Sequence, residues 1–472
     1  EVRPESMKAG IFYSISGVLG SALLWLLSFK VVAVWLGPAG VGLYSQLRQI
    51  VQAATIGATF GGTNAVVQGL SEREEERDRR RFRATASRLI GMLCAAVALV
   101  ILALAPDLTR VFLSSDEPGL IASVRWLSAA VLMSVGATYV IAVLNGYRAY
   151  RILALTQIAG PMGLVVTLAA AFVLQVDYRP EMLAWLFALG FGISYLVGAW
   201  GVCHLGREVP ALASGRMPSP ETRAFLTFAF STLSAAFSTT IAMLLIRSWI
   251  IQSRGLAFSG LFEAGWTLTF NYTTLFLTAC SIVYLPILTR TIEPSSQRVC
   301  MLKTAYLVLS VGTLVCYLMV MFKTPLIRLL YSSQFDDAGN LLVILAVAAI
   351  LRGVSWVYGM LIVATRKSRT LLLSEVLLNM VLLAFVWHSL RAYSTLEALG
   401  WAFVGANLLY LIFAVEYVRR ENGQMQRRKI WPLVALAGLP LTMNWGHAQG
   451  VQLAIGFTVS GIAWYAYRKV PT

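Results

Sequence analysis

The sequence predicts an all-α polytopic membrane protein with twelve core transmembrane helices in two pseudo-symmetric six-helix bundles, followed by a further C-terminal helix pair, fourteen in all. Three observations predict it: the composition, a series of long apolar runs, and an internal repeat. Of the 472 residues, 58% are hydrophobic and 13% are charged, and the mean hydropathy is +0.72. Because a soluble domain is about 45–50% apolar and about 25% charged, the excess must face lipid. Soluble enzymes, disordered chains and disulfide-rich secreted domains are excluded.

Each apolar run approaches or exceeds the roughly 20 residues that cross a hydrocarbon core of about 30 Å. The twelve core runs are 10–36, 41–70, 84–105, 121–144, 152–176, 182–203, 222–250, 257–285, 299–322, 339–365, 372–390 and 396–418. The last pair is 431–446 and 451–467. The predicted organisation is an N-terminal bundle at 8–203, a cytoplasmic linker at 204–221, a C-terminal bundle at 222–418 and the extra pair at 431–467. We expect no cleavable signal peptide, because the first run continues into the multi-span pattern.

The charge distribution predicts the orientation. Lys and Arg outnumber Asp and Glu by 38 to 22, and 26 of the 38 lie in loops on the side of the N-terminus. Six lie on the opposite side: Arg110, Arg179, Arg254, Lys323, Arg328 and Arg391. Such a bias places both termini in the cytoplasm and argues against nucleic acid as a partner. We expect the charged run Ser71–Arg83 to be a solvated helix end that faces anionic lipid headgroups.

Two halves of the chain repeat each other. The segment Leu108–Ser115 (LTRVFLSS) reappears as Leu326–Ser333 (LIRLLYSS), an offset of 218 residues. At the same offset, Gly42-Leu43-Tyr44 corresponds to Gly260-Leu261-Phe262. Each repeat holds six predicted spans, so both enter the membrane from the same side. Parallel repeats of this kind are typical of transporters with a substrate path at the repeat interface.

Six cations lie inside the apolar runs, where charge costs about 2.5–3.5 kcal/mol on insertion scales. They are Lys30, Arg48, Arg88, Arg125, Arg247 and Arg352. Each either snorkels to the headgroups or lines a polar cavity. Arg88 is close enough to a span end to snorkel, and both interpretations stay open for Arg125 and Arg247.

The other three cations favour the cavity. Lys30 and Arg48 flank the turn Gly37-Pro38-Ala39-Gly40 and lie roughly 10–12 Å from it at 1.5 Å per residue, which favours a cavity position. Arg352 is near the middle of its run, which also favours a cavity.

Intramembrane acids are fewer. Glu416 is one turn before Arg419 and Arg420 and is expected to pair with them, whereas Glu263 and Glu375 are candidates for proton or sodium coupling or for structural pairing with a cation. The excess of cations predicts a positive cavity suited to a phosphate or diphosphate. We expect no cofactor and no metal, since the chain has no ATP-binding G-x-x-x-x-G-K-[ST] motif and its three histidines are scattered.

Several segments carry a resemblance to a known family. They are Leu36–Gln49 (LGPAGVGLYSQLRQ), Asn145–Arg148 (NGYR), Val283–Arg290 (VYLPILTR) and Ala364–Arg369 (ATRKSR) followed by Ser374-Glu375. Together they resemble the Wzx-type polysaccharide-unit flippases of the multidrug/oligosaccharidyl-lipid/polysaccharide exporter superfamily. The resemblance runs through roughly residues 8–418, and the extra pair 431–467 departs from the twelve-helix members.

The resemblance implies two six-helix bundles in a V that move an undecaprenyl-diphosphate-linked oligosaccharide across the bacterial inner membrane by alternating access. The glycan would be a repeat unit of O-antigen, common-antigen or exopolysaccharide type. Cations matching those of the family's cavity, and one matching polar residue, give the candidate substrate-binding set: Lys30, Arg48, Asn64, Arg125, Arg247 and Arg352. We expect a monomer that contacts membrane lipids and the polysaccharide polymerase machinery, with the membrane potential as a driving force.

Three alternatives remain. A peptidoglycan-precursor lipid flippase shares the fourteen-helix count and an anionic lipid substrate. A multidrug exporter of the same superfamily would favour acids in its cavity. A membrane polysaccharide polymerase or ligase would need a sizeable outer loop, and the longest candidates, Pro106–Leu120 and Lys323–Asn340, are short. We therefore expect a transporter and not an enzyme.

Overall fold

The computed structural model describes residues 7–59, 63–73, 75–205, 219–291, 293–365 and 367–422, and within these ranges the regular structure is entirely helical. The first eight helices are α1 (Met7–Thr59), α2 (Thr63–Ser71), α3 (Glu76–Ala103), α4 (Ala105–Leu113), α5 (Pro118–Gly146), α6 (Tyr150–Val173), α7 (Pro180–His204) and α8 (Ser219–Arg254). The rest are α9 (Leu256–Trp266), α10 (Tyr272–Arg290), α11 (Pro294–Met321), α12 (Lys323–Leu330), α13 (Ala338–Ala364), α14 (Ser368–Ala392) and α15 (Leu396–Asn422). A π-helical turn, Thr267–Asn271, joins α9 to α10.

Nine of the described helices are long and apolar enough to cross a membrane, or ten if the bent pair Leu256–Thr278 and Val283–Arg290 is one span. The class of all-α, membrane-spanning protein is therefore confirmed. The arrangement of twelve core spans plus a pair stays a prediction, and the pair 431–467 lies outside the described residues. Helices are the expected solution because backbone N–H and C=O groups in hydrocarbon have no water to bond.

The first helix, α1, is a hairpin. Gly37 has φ 65° and ψ −163°, so the two arms meet there at a sharp reversal. The hydroxyl oxygens of Ser28 and Tyr44 lie 2.7 Å apart although 16 positions separate the residues, whereas a straight helix would hold them about 24 Å apart at 1.5 Å per residue. Pro38, which lacks an N–H, follows the reversal at the first position of the second arm, where a helix tolerates it. The predicted turn between Lys30 and Arg48 is confirmed.

The described residues form two compact units with a border between Leu256 and Ala257. In the first unit, α5 packs against α7 and α3, and α6 packs against α1 and α7. In the second, α13 packs against α10, α11, α14 and α15, and 89% of its most apolar stretch is buried. The predicted borders of the bundles stay a prediction, and the linker 204–221 falls largely outside the described residues.

The internal repeat extends to the helix boundaries. Both ends of α3 recur 218 residues later in α11, and the positive-φ glycine Gly37 recurs at Gly255, where φ is 85°. The short helices α4 and α12 also correspond, and each carries an arginine that pairs with a following aspartate. Arg110 Nε lies 2.5 Å from Asp116 Oδ1, and Arg328 Nη2 lies 2.6 Å from Asp336 Oδ2.

These two ion pairs lie outside the spanning segments. The hydrogen bond from Arg328 lowers the pKa of the Asp336 carboxyl below its ordinary value. In the corresponding ion pair of the first unit, the hydrogen bond to Asp116 raises the pKa of the Arg110 guanidinium. The same device therefore fixes the loop that follows the short helix in both units.

Replacing Gly37 with alanine is expected to destabilise the protein by about 1–3 kcal/mol, because a Cβ strains this backbone conformation. Thermal unfolding of the purified protein in detergent measures the effect as a lower Tm. Gly57→Ala is the matched control on the second arm of α1, since its Cβ would lie 3.7 Å from Phe237 Cε2, an ordinary contact. A Tm for Gly37→Ala equal to that of the control would contradict the hairpin geometry.

Candidate functional site

The candidate residues divide between the two units. The first unit holds Lys30 and Arg48 on the two arms of α1, Asn64 on α2, Arg125 on α5 and Arg247 on α8, and the second holds Glu263 on α9, Arg352 on α13 and Glu375 on α14. Lys30 is half-buried, whereas Asn64 and Arg125 are exposed. Arg125 is in the second turn of α5, so its position is compatible with snorkelling as well as with a cavity.

Arg48 lies on a platform of aromatic rings. Its guanidinium carbon is 4.3 Å from the centre of the Trp25 ring and 5.5 Å from that of Phe29, both on the opposite arm of the hairpin. The platform extends through Tyr44, whose ring centre is 5.0 Å from Phe29 and 4.8 Å from Phe187 of α7. Cation–π contacts of this type are worth about 0.5–2 kcal/mol. They hold the plane of the guanidinium against the rings.

Arg247 is buried, with only 4% of its surface exposed. Its Nη1 donates to Gln49 Oε1 at 2.5 Å, and Gln49 Nε2 donates to the carbonyl of Thr240 at 3.1 Å. One turn away, Gln46 Nε2 donates to Ser248 Oγ at 2.9 Å. The side-chain amides of α1 thus form hydrogen bonds with polar groups of α8. Gln49, which bonds to Arg247, is adjacent to Arg48 in the sequence.

The second unit contains a three-residue polar cluster in the interior of its spans. Arg352 Nη2 lies 3.3 Å from Oε1 and 3.2 Å from Oε2 of Glu375. Tyr410 of α15 donates its hydroxyl to Glu375 Oε1 at 3.1 Å, and the Arg352 guanidinium lies 5.0 Å from the centre of the Tyr410 ring. Of the two alternatives for Glu375, pairing with a cation is therefore what the geometry supports.

Glu263 is also buried and accepts a hydrogen bond from Thr267 Oγ1 at 3.1 Å, where the π-helical turn begins. π-Helical turns are rare and occur frequently at functional sites. The expected pairing of Glu416 is confirmed, because Arg419 and Arg420 donate to its Oε1 at 2.6 and 3.2 Å.

Most described residues of the charged run Ser71–Arg83 are exposed, as expected of a solvated helix end, but the expectation is wrong for its last residue. The Arg83 side chain is 3% exposed and lies 3.6 Å from Glu76 Oε1, instead of facing headgroups. The reason is that α3 begins at Glu76, so Arg83 is two turns inside the helix. There the backbone carbonyl of Arg83 accepts a hydrogen bond from Tyr139 of α5, and its guanidinium lies 5.5 Å from the centre of the Tyr147 ring.

Sequence reasoning missed several residues of these networks. Gln46 and Gln49 had a usable signal, since amides inside an apolar run must find partners just as charges do. Tyr410 and Trp25 had none, because aromatic side chains are common in membrane spans. The charge of these networks is mainly cationic, and no group of His, Cys, Asp or Glu that could hold a metal occurs among the described residues.

Known proteins that are similar to this chain include flippases and transporters. Two curated relatives, each named lipid III flippase, from Escherichia coli K12 and Shigella flexneri, are 23% identical over 390 residues, which is 82% of this chain and 91% of theirs. Among solved structures, the lipid II flippase MurJ in an inward closed conformation matches with TM-score 0.72 at 12% identity, covering 97% of this chain and 99% of that one. An inward-facing MATE multidrug transporter of the MOP superfamily matches with TM-score 0.70 at 15% identity, covering 87% and 98%.

These relatives and neighbours are named as flippases and transporters. None of these names is that of an enzyme, which agrees with the expectation of a transporter, and the likeness to the solved structures confirms the fold. The family model described as polysaccharide biosynthesis protein matches residues 7–295. This match covers more than half of the chain, which therefore belongs to the polysaccharide biosynthesis protein family.

Proposed function

We propose that this protein is a flippase that moves a polyprenyl-diphosphate-linked oligosaccharide from the inner to the outer leaflet of the bacterial inner membrane by alternating access. The carried unit would be an O-antigen, common-antigen or exopolysaccharide repeat. The observation that carries the proposal is the position of Arg48 and Arg352 within apolar spans, each with its guanidinium oriented by an aromatic ring. The two lipid III flippases, similar over most of their length, support it.

The physical problem for such a substrate is desolvation. A sugar hydroxyl that enters hydrocarbon without a partner loses hydrogen bonds worth roughly 2–7 kcal/mol, and a diphosphate loses far more. A hydrated cationic path removes both costs while the polyprenyl tail stays in lipid. The candidate substrate-binding set remains Lys30, Arg48, Asn64, Arg125, Arg247 and Arg352, with Arg48 and Arg352 as the main diphosphate ligands.

The membrane potential is the proposed driving force. Moving negative charge outward across a membrane that is negative inside is favourable by about 2.3 kcal/mol per charge per 100 mV. Proton or sodium coupling through Glu263 or Glu375 stays a prediction from the sequence. So do the monomeric state and contact with the polysaccharide polymerase machinery.

A multidrug exporter is the second candidate, because MATE transporters are among the proteins of similar fold. The charges argue against it. A pump for cationic drugs needs uncompensated carboxylates, whereas Glu375 and Glu416 pair with arginines. An anionic lipid substrate agrees better with this balance.

Transport in liposomes tests the proposal. Purified protein is reconstituted with a fluorescent polyprenyl-diphosphate oligosaccharide, and arrival in the outer leaflet is followed with and without an inside-negative potential. Wild type should transport faster with the potential, and Arg48→Ala and Arg352→Ala should each lose at least tenfold in rate, since a charge-assisted bond to phosphate is worth about 1.5–3 kcal/mol.

Arg110→Ala is the control, because this exposed arginine pairs with Asp116 outside the spans, and it should transport as wild type does. Transport only of a lipid bearing the peptidoglycan pentapeptide, or only of a cationic dye, would contradict the proposal in favour of the corresponding alternative. Equal transport rates for wild type and both site variants would show that Arg48 and Arg352 do not bind the substrate.

The proposed topology places both termini in the cytoplasm. Green fluorescent protein fused after Thr472 should therefore fluoresce, and alkaline phosphatase fused at the same position should be inactive. A fusion of each reporter after Ser115, in the predicted outer segment, should give the reverse pair of results. An active C-terminal phosphatase would contradict an even number of spans.

A further inference from the structure

The cluster of Arg352, Glu375 and Tyr410 contains a charge pair in the interior of three packed helices. Arg352 is near the middle of α13, with 26% of its side chain exposed, and Glu375 on α14 has 14% exposed. Charged groups at this depth are costly even when paired, because both ions lose their hydration. A role beyond packing is therefore to be expected of them.

The internal repeat shows that the fold does not require these charges. At the offset of 218 residues, Arg352, Glu375 and Tyr410 correspond to Ser134, Gln157 and Gly192 of α5, α6 and α7. In the first unit, Ser134 accepts a hydrogen bond from Thr55 Oγ1 at 2.9 Å. The same three-helix arrangement is thus built once from neutral side chains and once around an ion pair, so the pair serves a purpose of the second unit alone.

The Glu375 carboxylate accepts hydrogen bonds from two donors that could equally bind a phosphate. It accepts from Arg352 Nη2 on one helix and from the Tyr410 hydroxyl on another, and a guanidinium binds carboxylate and phosphate with the same planar fork. The match is incomplete, however. Arg352 Nη1 is buried and has no hydrogen-bond partner among the described residues. An anion with three oxygens on one centre could bond both nitrogens, whereas this carboxylate bonds one.

We infer that Glu375 is an internal substitute for the phosphate of the transported lipid: it holds Arg352 while the site is empty and gives up the guanidinium to a phosphate oxygen when substrate binds. This inference rests on the proposed function. Such an exchange is advantageous in the substrate-free state of the protein. A buried arginine that lost its only anion whenever substrate left would have to be desolvated alone, which is far costlier than a pair. Exchange of one anion for another keeps the charge compensated throughout.

The exchange predicts an effect on substrate binding that a purely structural role of Glu375 would not produce. Since Glu375 competes with substrate, its neutral replacement should strengthen binding, even though it removes a favourable contact from the free protein. Release should become slower for the same reason. Both effects should depend on the presence of Arg352.

Binding of undecaprenyl diphosphate to the full-length protein in detergent tests the inference, with transport of the oligosaccharide-linked lipid as the second readout. Glu375→Gln should bind the probe about tenfold more tightly, the factor expected for one lost competing charge-assisted bond, and should transport more slowly. Arg352→Gln should bind about tenfold more weakly, and adding Glu375→Gln to it should change nothing further. Glu375→Asp, which withdraws the carboxylate by one methylene, should tighten binding to a smaller extent and serves if the glutamine variant does not fold.

Glu416→Gln is the matched control, because Glu416 also pairs with arginines but at the end of α15, and its affinity should equal that of wild type. If wild type binds the probe and neither Glu375 variant binds it more tightly, or if the tightening persists without Arg352, the inference is wrong while the proposed function stands. If neither wild type nor any variant binds the probe, both are wrong.

Discussion

A charge inside a membrane span must have its partner within the protein, because hydrocarbon supplies none. This constraint accounts for the polar contacts that the charged side chains make in the described spans. Arg247 bonds to Gln49, Glu263 to Thr267 and Arg352 to Glu375, while Arg48 lies against aromatic rings. The contacts of Arg247 and Arg352 also fix the positions of helices, since a partner on another helix must be within about 3 Å. The proposed function would therefore depend on the same few hydrogen bonds as the fold.

Comparison of the two units separates features that the fold requires from features that the proposed activity requires. They share helix boundaries and a short helix with an arginine–aspartate pair. They differ in the polar groups within the spans. In the first unit the amides of α1 bind α8, whereas in the second an ion pair joins α13 to α14. Features that both units share are structural, and features found in one unit are the better candidates for a role in transport.

The sequence predicted the parts of the fold that depend on local chemistry. Lipid-length apolar runs identify helices, Gly37-Pro38 marks a reversal because only glycine adopts its backbone conformation without strain, and a shared offset identifies the repeat. The depth of Arg352 followed from counting residues along its run, and it indeed lies in the middle of α13.

The side chains that contact each polar residue could not be predicted in the same way. A span that is apolar on all sides carries no periodic signal for the face that packs against protein. The sequence therefore left Glu375 open between ion coupling and pairing, and it gave no reason to place Tyr410 beside it. Arg83 was assigned to solvent because its neighbours along the chain are charged, whereas its surroundings are set by Tyr139 of α5 and by Tyr147, which follows that helix. Contacts between distant segments, not local composition, decide these cases.

The ion pair also determines where in the proposed transport cycle the membrane potential acts. The protein's own charges return to their starting positions after each cycle, so the net charge moved equals that of the substrate. If Arg352 returned alone, part of the electrical work would fall on the empty carrier. With Glu375 bound to it, this site is neutral when empty, and the potential acts mainly on the loaded step, where an inside-negative membrane favours outward movement of the diphosphate by about 2.3 kcal/mol per charge per 100 mV. An internal anion thus lets a cationic site bind its substrate by charge and still return without one.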